Sequence, residues 1–191
     1  MVSPDDLRRA FQAGHEFEAY LNTATPSQRE NWTRFIERVP PLTPSQVGLI
    51  QGFTREMPVL VISGTWCGDC VQQCPLIDAI ARAGPSVLRV RYVDRDRHAD
   101  LSDQVMICGG RRVPTVIFMN EDHEFVSILG DRTLMRYRSI AARSLGVSCP
   151  LPGAAVPTDE ITSTMQDWIN EFERVALLLR LSPKLRERYG D

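Results

Sequence analysis

The chain has 191 residues, 43% of them hydrophobic and 24% charged, with a formal net charge of −2. That length accommodates one domain with extensions and a core that needs no covalent staples. The near-neutral balance excludes a broad basic face for nucleic acid, and the lack of any run of about 18 apolar residues excludes an ordinary membrane-spanning helix.

The first 55 residues carry helical patterns. Leu7, Phe11, Gly14, Phe17 and Leu21 recur at helical spacing. Thr25-Pro26-Ser27-Gln28 has the composition of a helix start: a capping Thr, a first-turn Pro and a Gln placed to close a capping box. Trp32, Phe35, Ile36 and Val39 share a face, and Pro40-Pro41 ends that helix. The same four letters return at Thr43-Pro44-Ser45-Gln46 and open a third helix.

Strand and helix then alternate. Pro58 to Ser63 is a short apolar run suited to a strand covered on both faces. A helix is predicted from Cys67 to about Ala83, a strand over Val87–Val93, and a short helix over His98–Cys108 with Leu101, Val105 and Cys108 inward. Thr115–Met119 and Glu124–Leu129 read as a hairpin about the turn at Asn120–His123. Gly130-Asp131 is placed to cap a helix running to about Leu145. A Pro- and Gly-rich loop follows over Gly146–Pro157, and Thr158 is placed to cap the last helix. There Ile161, Met165, Trp168, Phe172, Val175 and Leu179 form one stripe, widened by Leu177, Leu178 and Leu181. The expected architecture is α/β, a mixed four-stranded sheet flanked by helices. It divides into an N-terminal helical extension (1–55), a core (56–146), and a loop with a C-terminal helix packed on that core (147–191).

Trp66-Cys67-Gly68-Asp69-Cys70 lies where the first strand gives way to a helix. Only a thiolate attacks a disulfide. At a helix mouth, unpaired N–H groups and the helix dipole favour that thiolate, so Cys67 is expected to ionise toward neutrality. Cys70, one turn further in, lies close enough to bond to it and is expected to be buried. Cys67 is therefore assigned the attack and Cys70 the resolution of the mixed disulfide. Gly68 and Asp69 modulate the pair. A carboxylate at Asp69 opposes a neighbouring thiolate, which leans the site toward a reductant.

These residues resemble the thioredoxin superfamily over Pro58 to Gly130. The resemblance rests on the Trp66–Cys70 motif after a strand, Pro75 eight residues beyond Cys67, the Val113-Pro114-Thr115 loop before a strand, and Gly130 after the hairpin. It implies a cis peptide bond at Pro114, a peptide groove formed by Trp66, Val113, Pro114, Thr115 and Gly130, and thiol–disulfide exchange without a bound cofactor. Its implied partners are protein disulfides and a reductase or small thiol as electron donor. The chain departs from the family at Val61, where many members carry a buried Asp that helps move the Cys70 proton. Water or Asp69 is then expected to serve.

Five cysteines, an odd number, argue against a fully paired framework. Cys74 and Cys108 are expected to pack in the core, while Cys149 lies in a loop. A metal set from Cys67, Cys70, Cys74 and Cys108 is disfavoured, because three ligands would share one regular helix. Arg111 and Arg112 precede the Pro114 loop and are weighed as a carboxylate clamp, as for glutathione, against solvated surface charge. Met1–Ala10 lacks the apolar segment of a signal peptide, so a cytoplasmic protein with no membrane or nucleic-acid partner is expected. Self-association through the C-terminal helix is a further expectation. Two other functions compete with the oxidoreductase: a redox-inactive binding module on the same fold, and a glutathione-linked enzyme.

Overall fold

The computed structural model describes residues 2–145 and 159–191. Helices α1 (Pro4–Ala13), α2 (Phe17–Leu21), α3 (Pro26–Ile36) and α4 (Pro44–Gln51) precede strand β1 (Met57–Ser63). Then come α5 (Gly68–Ala83), β2 (Leu88–Asp94), α6 (Ala99–Gln104), β3 (Thr115–Met119), β4 (Phe125–Gly130), α7 (Leu134–Ser144), α8 (Glu160–Leu181) and α9 (Pro183–Tyr189). The strands form one mixed sheet in the order β2-β1-β3-β4. β2 runs parallel to β1, while β3 pairs antiparallel with both β1 and β4. This is the α/β architecture expected, a four-stranded sheet flanked by helices.

The central strand explains the rest of the packing. All seven residues of β1 are buried, so both of its faces must be covered. The α8 stripe packs over the β3–β4 side of the sheet: Met165, Trp168, Phe172, Val175 and Leu179 are buried, and the Phe172 ring meets the Phe118 ring of β3 edge-on at 5.2 Å. Leu177, Leu178 and Leu181, which widen that stripe in the sequence, are exposed. At the other end of the chain, Phe17, Tyr20 and Trp32 pack with Tyr92 of β2 in an aromatic cluster. Both Thr-Pro-Ser-Gln boxes close as their chemistry requires. Thr25 and Thr43 accept from the backbone of Gln28 and Gln46, whose side chains accept in return from the cap backbone.

The structure departs from the sequence pattern at four joints. The periodicity of Leu7 to Leu21 hides a break after Ala13, because His15 pairs both its backbone groups with Tyr92 on the open edge of β2. α6 stops at Gln104, four residues short of Cys108. There Ile107 and Gly110 exchange backbone hydrogen bonds around a turn with Cys108 and Gly109 at positive φ, and Cys108 is exposed rather than inward. Asp131 does not cap α7, whose N-cap is Thr133, because the Asp131 carboxylate is turned to Arg112 and Tyr137. Asp159 caps α8 through the amides of Ile161 and Thr162. Thr158, the loop over 146–157 and Cys149 lie outside the described residues.

One half-buried carboxyl stands out in α5. Desolvation pushes the Asp78 carboxyl up to about 6, against the pull of Arg82 at 2.9 Å, with Glu18 adding to the rise. From its ordinary 3.8 up to about 6, the folded protein holds a proton that the unfolded chain releases. Stability conferred by the neutral form is thus present at low pH and lost as pH rises through that window. Asp78→Asn is expected to raise the melting temperature at neutral pH, equivalent to roughly 1–2 kcal/mol, and to change it little near pH 4. Equal shifts at both pH values, in thermal unfolding followed by circular dichroism, would show that desolvation of this carboxylate is not the cause.

Candidate active site

The site begins where β1 ends. The chain leaves the sheet at Ser63, turns over Gly64 to Trp66, and enters α5 with Cys67 as N-cap residue. The amide of Cys67 donates to the Gly64 carbonyl at 2.9 Å, and the Cys67 carbonyl accepts from Val71 at 3.0 Å. A side chain at Gly64 would meet the Trp66 ring at 2.7 Å, so this turn requires glycine. The N-terminal helices hold it from outside. Trp32 Nε1 donates to the Thr65 carbonyl at 2.9 Å, and Thr65 Oγ1 donates to Gln28 Oε1 at 3.0 Å. Loss of the buried indole bond would leave that carbonyl unpaired, at a cost of roughly 1–3 kcal/mol.

Cys67 is half-buried and Cys70 fully buried behind it, both as free thiols within hydrogen-bonding reach of each other. The Cys67 thiol also has the Val113 carbonyl at 3.5 Å as an acceptor. The hydrogen bond to Cys70, followed by burial, pushes the Cys67 thiol up. The amides of Cys70 and Asp69 act in the opposite direction, as a helix mouth should, and are outweighed. The expectation of a thiol acidified toward neutrality is therefore corrected: the reduced pair holds its protons. Burial pushes Cys70 well up as well.

Asp69 also differs from expectation. Arg132 reaches its Oδ2 at 2.6 Å, and Arg136 reaches Oδ1 at 2.8 Å. With both oxygens engaged by guanidinium groups, Asp69 is neither an open charge beside the thiols nor a free proton carrier for Cys70. Arg136 is in turn paired with Glu160 at the start of α8. Gln73, buried on α5, completes the frame: its Nε2 donates to the Asp131 carbonyl at 2.8 Å and its Oε1 accepts from the Thr133 amide at 3.4 Å. Arg132 and Arg136, four residues apart in the sequence, and Gln73, polar on the face of Cys70, were the sequence signals for this frame.

The Val113-Pro114-Thr115 loop lies opposite the thiols, with a cis bond before Pro114. Thr115 Oγ1 donates to the Arg112 carbonyl at 2.8 Å and begins β3. At Gly130 a side chain would meet Ile107, the Pro114 carbonyl and Thr115 within about 3.0 Å, so glycine lets β4 approach the loop. The Gly130–Asp131 peptide is also cis. Beside Gly130 opens an apolar pocket of about 460 Å³ lined by Met106, Ile107, Phe125 and Ile128. On the other flank Trp66 is 48% exposed, with the Arg95 guanidinium 4.5 Å above its ring. The structure thus brings Trp66, Cys67, Gly68 and Cys70 together with Val113 and Pro114, and sets Gly130 against that loop.

Arg111 and Arg112 are engaged within the chain. Arg111 forms a two-pronged pair with Asp103 at 2.6 Å, and Arg112 reaches Asp131 at 3.1 Å. Cys74 is buried beside Ser63. Among the described residues, no group of three or more His, Cys, Asp or Glu side chains is arranged to hold a metal ion, and no helix is long and apolar enough to cross a membrane.

A family model described as Thioredoxin matches residues 14–135. Among solved structures, a protein of unknown function from Pseudomonas aeruginosa is 17% identical, with 92% of this chain and 97% of that chain covered and a TM-score of 0.67. An HIV epitope-scaffold is 18% identical, covering 88% and 92%, with a TM-score of 0.59. At such identities the likeness is one of fold, and it takes in helices beyond the residues that the family model matches.

The direction of the Cys67 shift has a measurable consequence. Alkylation of the reduced protein at Cys67 by iodoacetamide is expected to accelerate continuously from about pH 6 to about pH 9, as the thiolate fraction grows. A rate already level near pH 7, followed by peptide mass spectrometry, would instead reveal a thiol of lowered pKa.

Proposed function

Because the chain belongs to the thioredoxin family, we propose that it is a thiol–disulfide oxidoreductase that reduces protein disulfides through Cys67 and Cys70. The observation that carries this reading is the placement of the two thiols: Cys67 is accessible at the N-cap of α5, and Cys70 lies buried within hydrogen-bonding reach. In the proposed reaction the Cys67 thiolate attacks one sulfur of a substrate disulfide and the other sulfur leaves as a thiolate. Cys70 then attacks Cys67, closing the intramolecular disulfide and releasing the second substrate sulfur. Two electrons pass from the dithiol to the substrate, and a reductase or small thiol restores them.

The held protons support the reducing direction. A nucleophilic thiolate that its site stabilises strongly makes the reduced form favourable and the protein an oxidant. Here hydrogen bonding and burial keep Cys67 a thiol, which removes that stabilisation and favours donation of electrons. The groove chemistry supports a peptide substrate. Val113 offers backbone beside Cys67, Trp66 offers an exposed aromatic wall, and the pocket next to Gly130 offers apolar surface. A carboxylate clamp for glutathione at Arg111 and Arg112 is less favoured, since both already have carboxylate partners.

With dithiothreitol as donor, the protein is expected to accelerate precipitation of insulin, and Cys67→Ser to abolish the acceleration. Cys70→Ser should retain substrates on Cys67 as mixed disulfides that reducing agent releases. A folded parent protein with no effect on insulin, together with an empty Cys70→Ser trap, would favour the redox-inactive binding module.

A further inference from the structure

A protein disulfide must lie along the groove before Cys67 can attack it, and this inference rests on the disulfide exchange proposed above. The groove backbone beside the thiol is carried by a loop, and a loop keeps its place only through what anchors it. Val113 presents its carbonyl 3.5 Å from Cys67 Sγ. The residue before it is tied down by backbone and side chain alike. The Arg112 amide donates to the Gly110 carbonyl at 2.8 Å, and the Arg112 carbonyl accepts from Thr115 Oγ1 at 2.8 Å. Its guanidinium crosses to the segment leaving β4, where Nη1 donates to Asp131 Oδ2 at 3.1 Å.

Asp131 is the buried member of this pair. Its side chain is 4% exposed, against 42% for Arg112. A carboxylate so placed keeps its charge only with partners. Tyr137 Oη donates to Oδ1, Arg112 takes Oδ2, and Arg132 Nη1 lies 3.6 Å from that same oxygen. The Asp131 backbone is fixed too, because its carbonyl accepts from Gln73 Nε2 of α5 at 2.8 Å. Hydrogen bonds therefore run from the thiol-bearing helix through Gln73 to Asp131, and from Asp131 through Arg112 to the residue before Val113. An apolar side chain would fill position 131 without the desolvation, so the carboxylate calls for a role that packing alone does not supply.

We propose that Arg112 and Asp131 are positioning residues that set the Val113 backbone at the distance from Cys67 which an extended peptide substrate requires. Neither touches a reacting atom; both act through the loop. A loop displaced by about 1 Å leaves the thiols as they are and misaligns a bound peptide. A small disulfide that reaches Cys67 without lying along the groove is indifferent to the pair.

The test compares two disulfides. One is 2,2′-dipyridyl disulfide, small, neutral and chromogenic, mixed with the reduced protein. The other is insulin, a protein substrate, reduced at varied concentration with dithiothreitol as donor. Arg112→Met and Asp131→Asn are each expected to keep the dipyridyl disulfide rate within about twofold of the parent and to lower kcat/KM for insulin roughly tenfold, mostly through KM. The two variants change net charge in opposite directions, so simple attraction or repulsion of insulin would move them oppositely. Arg112→Lys keeps a cation for a single-pronged contact and should recover much of the loss. Hydrogen exchange over residues 112–116 reads the anchor without turnover: it should quicken in Arg112→Met and return toward the parent rate in Arg112→Lys. Insulin kinetics at the parent value in either folded variant overturn the proposal. Equal losses with both disulfides, or effects of opposite sign in the two variants, overturn it as well. A parent that reacts with neither disulfide would instead overturn the exchange reading, and the hydrogen-exchange comparison would still decide whether the pair anchors the loop.

Discussion

Everything at the site follows from the burial of β1 on both faces. A strand with seven buried residues cannot drift in register or tilt, because each face is packed and each edge is paired. Its last residue therefore delivers the chain to a fixed point. From there the tight turn at Gly64 leaves only Thr65 and Trp66 before Cys67, the N-cap of α5. Cys67 is an N-cap because the strand ends where it does, and Cys70 is buried because α5 lies back over the sheet. The separation of an accessible thiol from a buried one, one helical turn apart, is a property of this junction more than of the cysteines.

That junction sets two opposing influences on Cys67. Helix-mouth amides favour the thiolate. Half-burial and a neighbouring thiol favour the protonated form. The second influence wins because Cys70 is close enough to share a proton, and because the nearest carboxylate and its arginines form a closed network of their own. Asp69 therefore shapes the site mechanically. It ties α5 to α7, while Gln73 ties the same helix to the segment leaving β4. The segment leaving β4 and the first turn of α7 are thus anchored to the helix that carries the thiols.

The parts of this arrangement that were legible in the sequence are those with local signals. Two Thr-Pro-Ser-Gln boxes, an apolar run before a Cys-x-x-Cys pair, and a Val-Pro-Thr loop before a strand each draw their meaning from a few adjacent residues. The failures share a cause as well. Cys108 sits at helical spacing from Leu101 and Val105, yet the two glycines after it impose a turn with positive φ that periodicity does not register. Gly130-Asp131 has the letters of a cap, but the Asp131 carboxylate is claimed by Arg112 and Tyr137, which are distant in the chain or on the helix itself. Asp69 has the composition of a local modulator, and only tertiary structure shows that residues more than sixty positions away neutralise it. Pairings across that distance leave no periodic trace.

The N-terminal helices are best understood as part of the site. Trp32 and Gln28 hold the backbone and side chain of Thr65, immediately before Trp66. Tyr20 stacks on Tyr92, and His15 seals the open edge of β2. A helical pair serving only as cover for a sheet face would need apolar side chains alone. Here the same segment delivers an indole N–H and an amide oxygen to the strand-to-helix turn. Val61 makes sense in that setting. Where a carboxylate buried under the thiols would need its desolvation offset by new partners, this chain keeps the position aliphatic and fully buried.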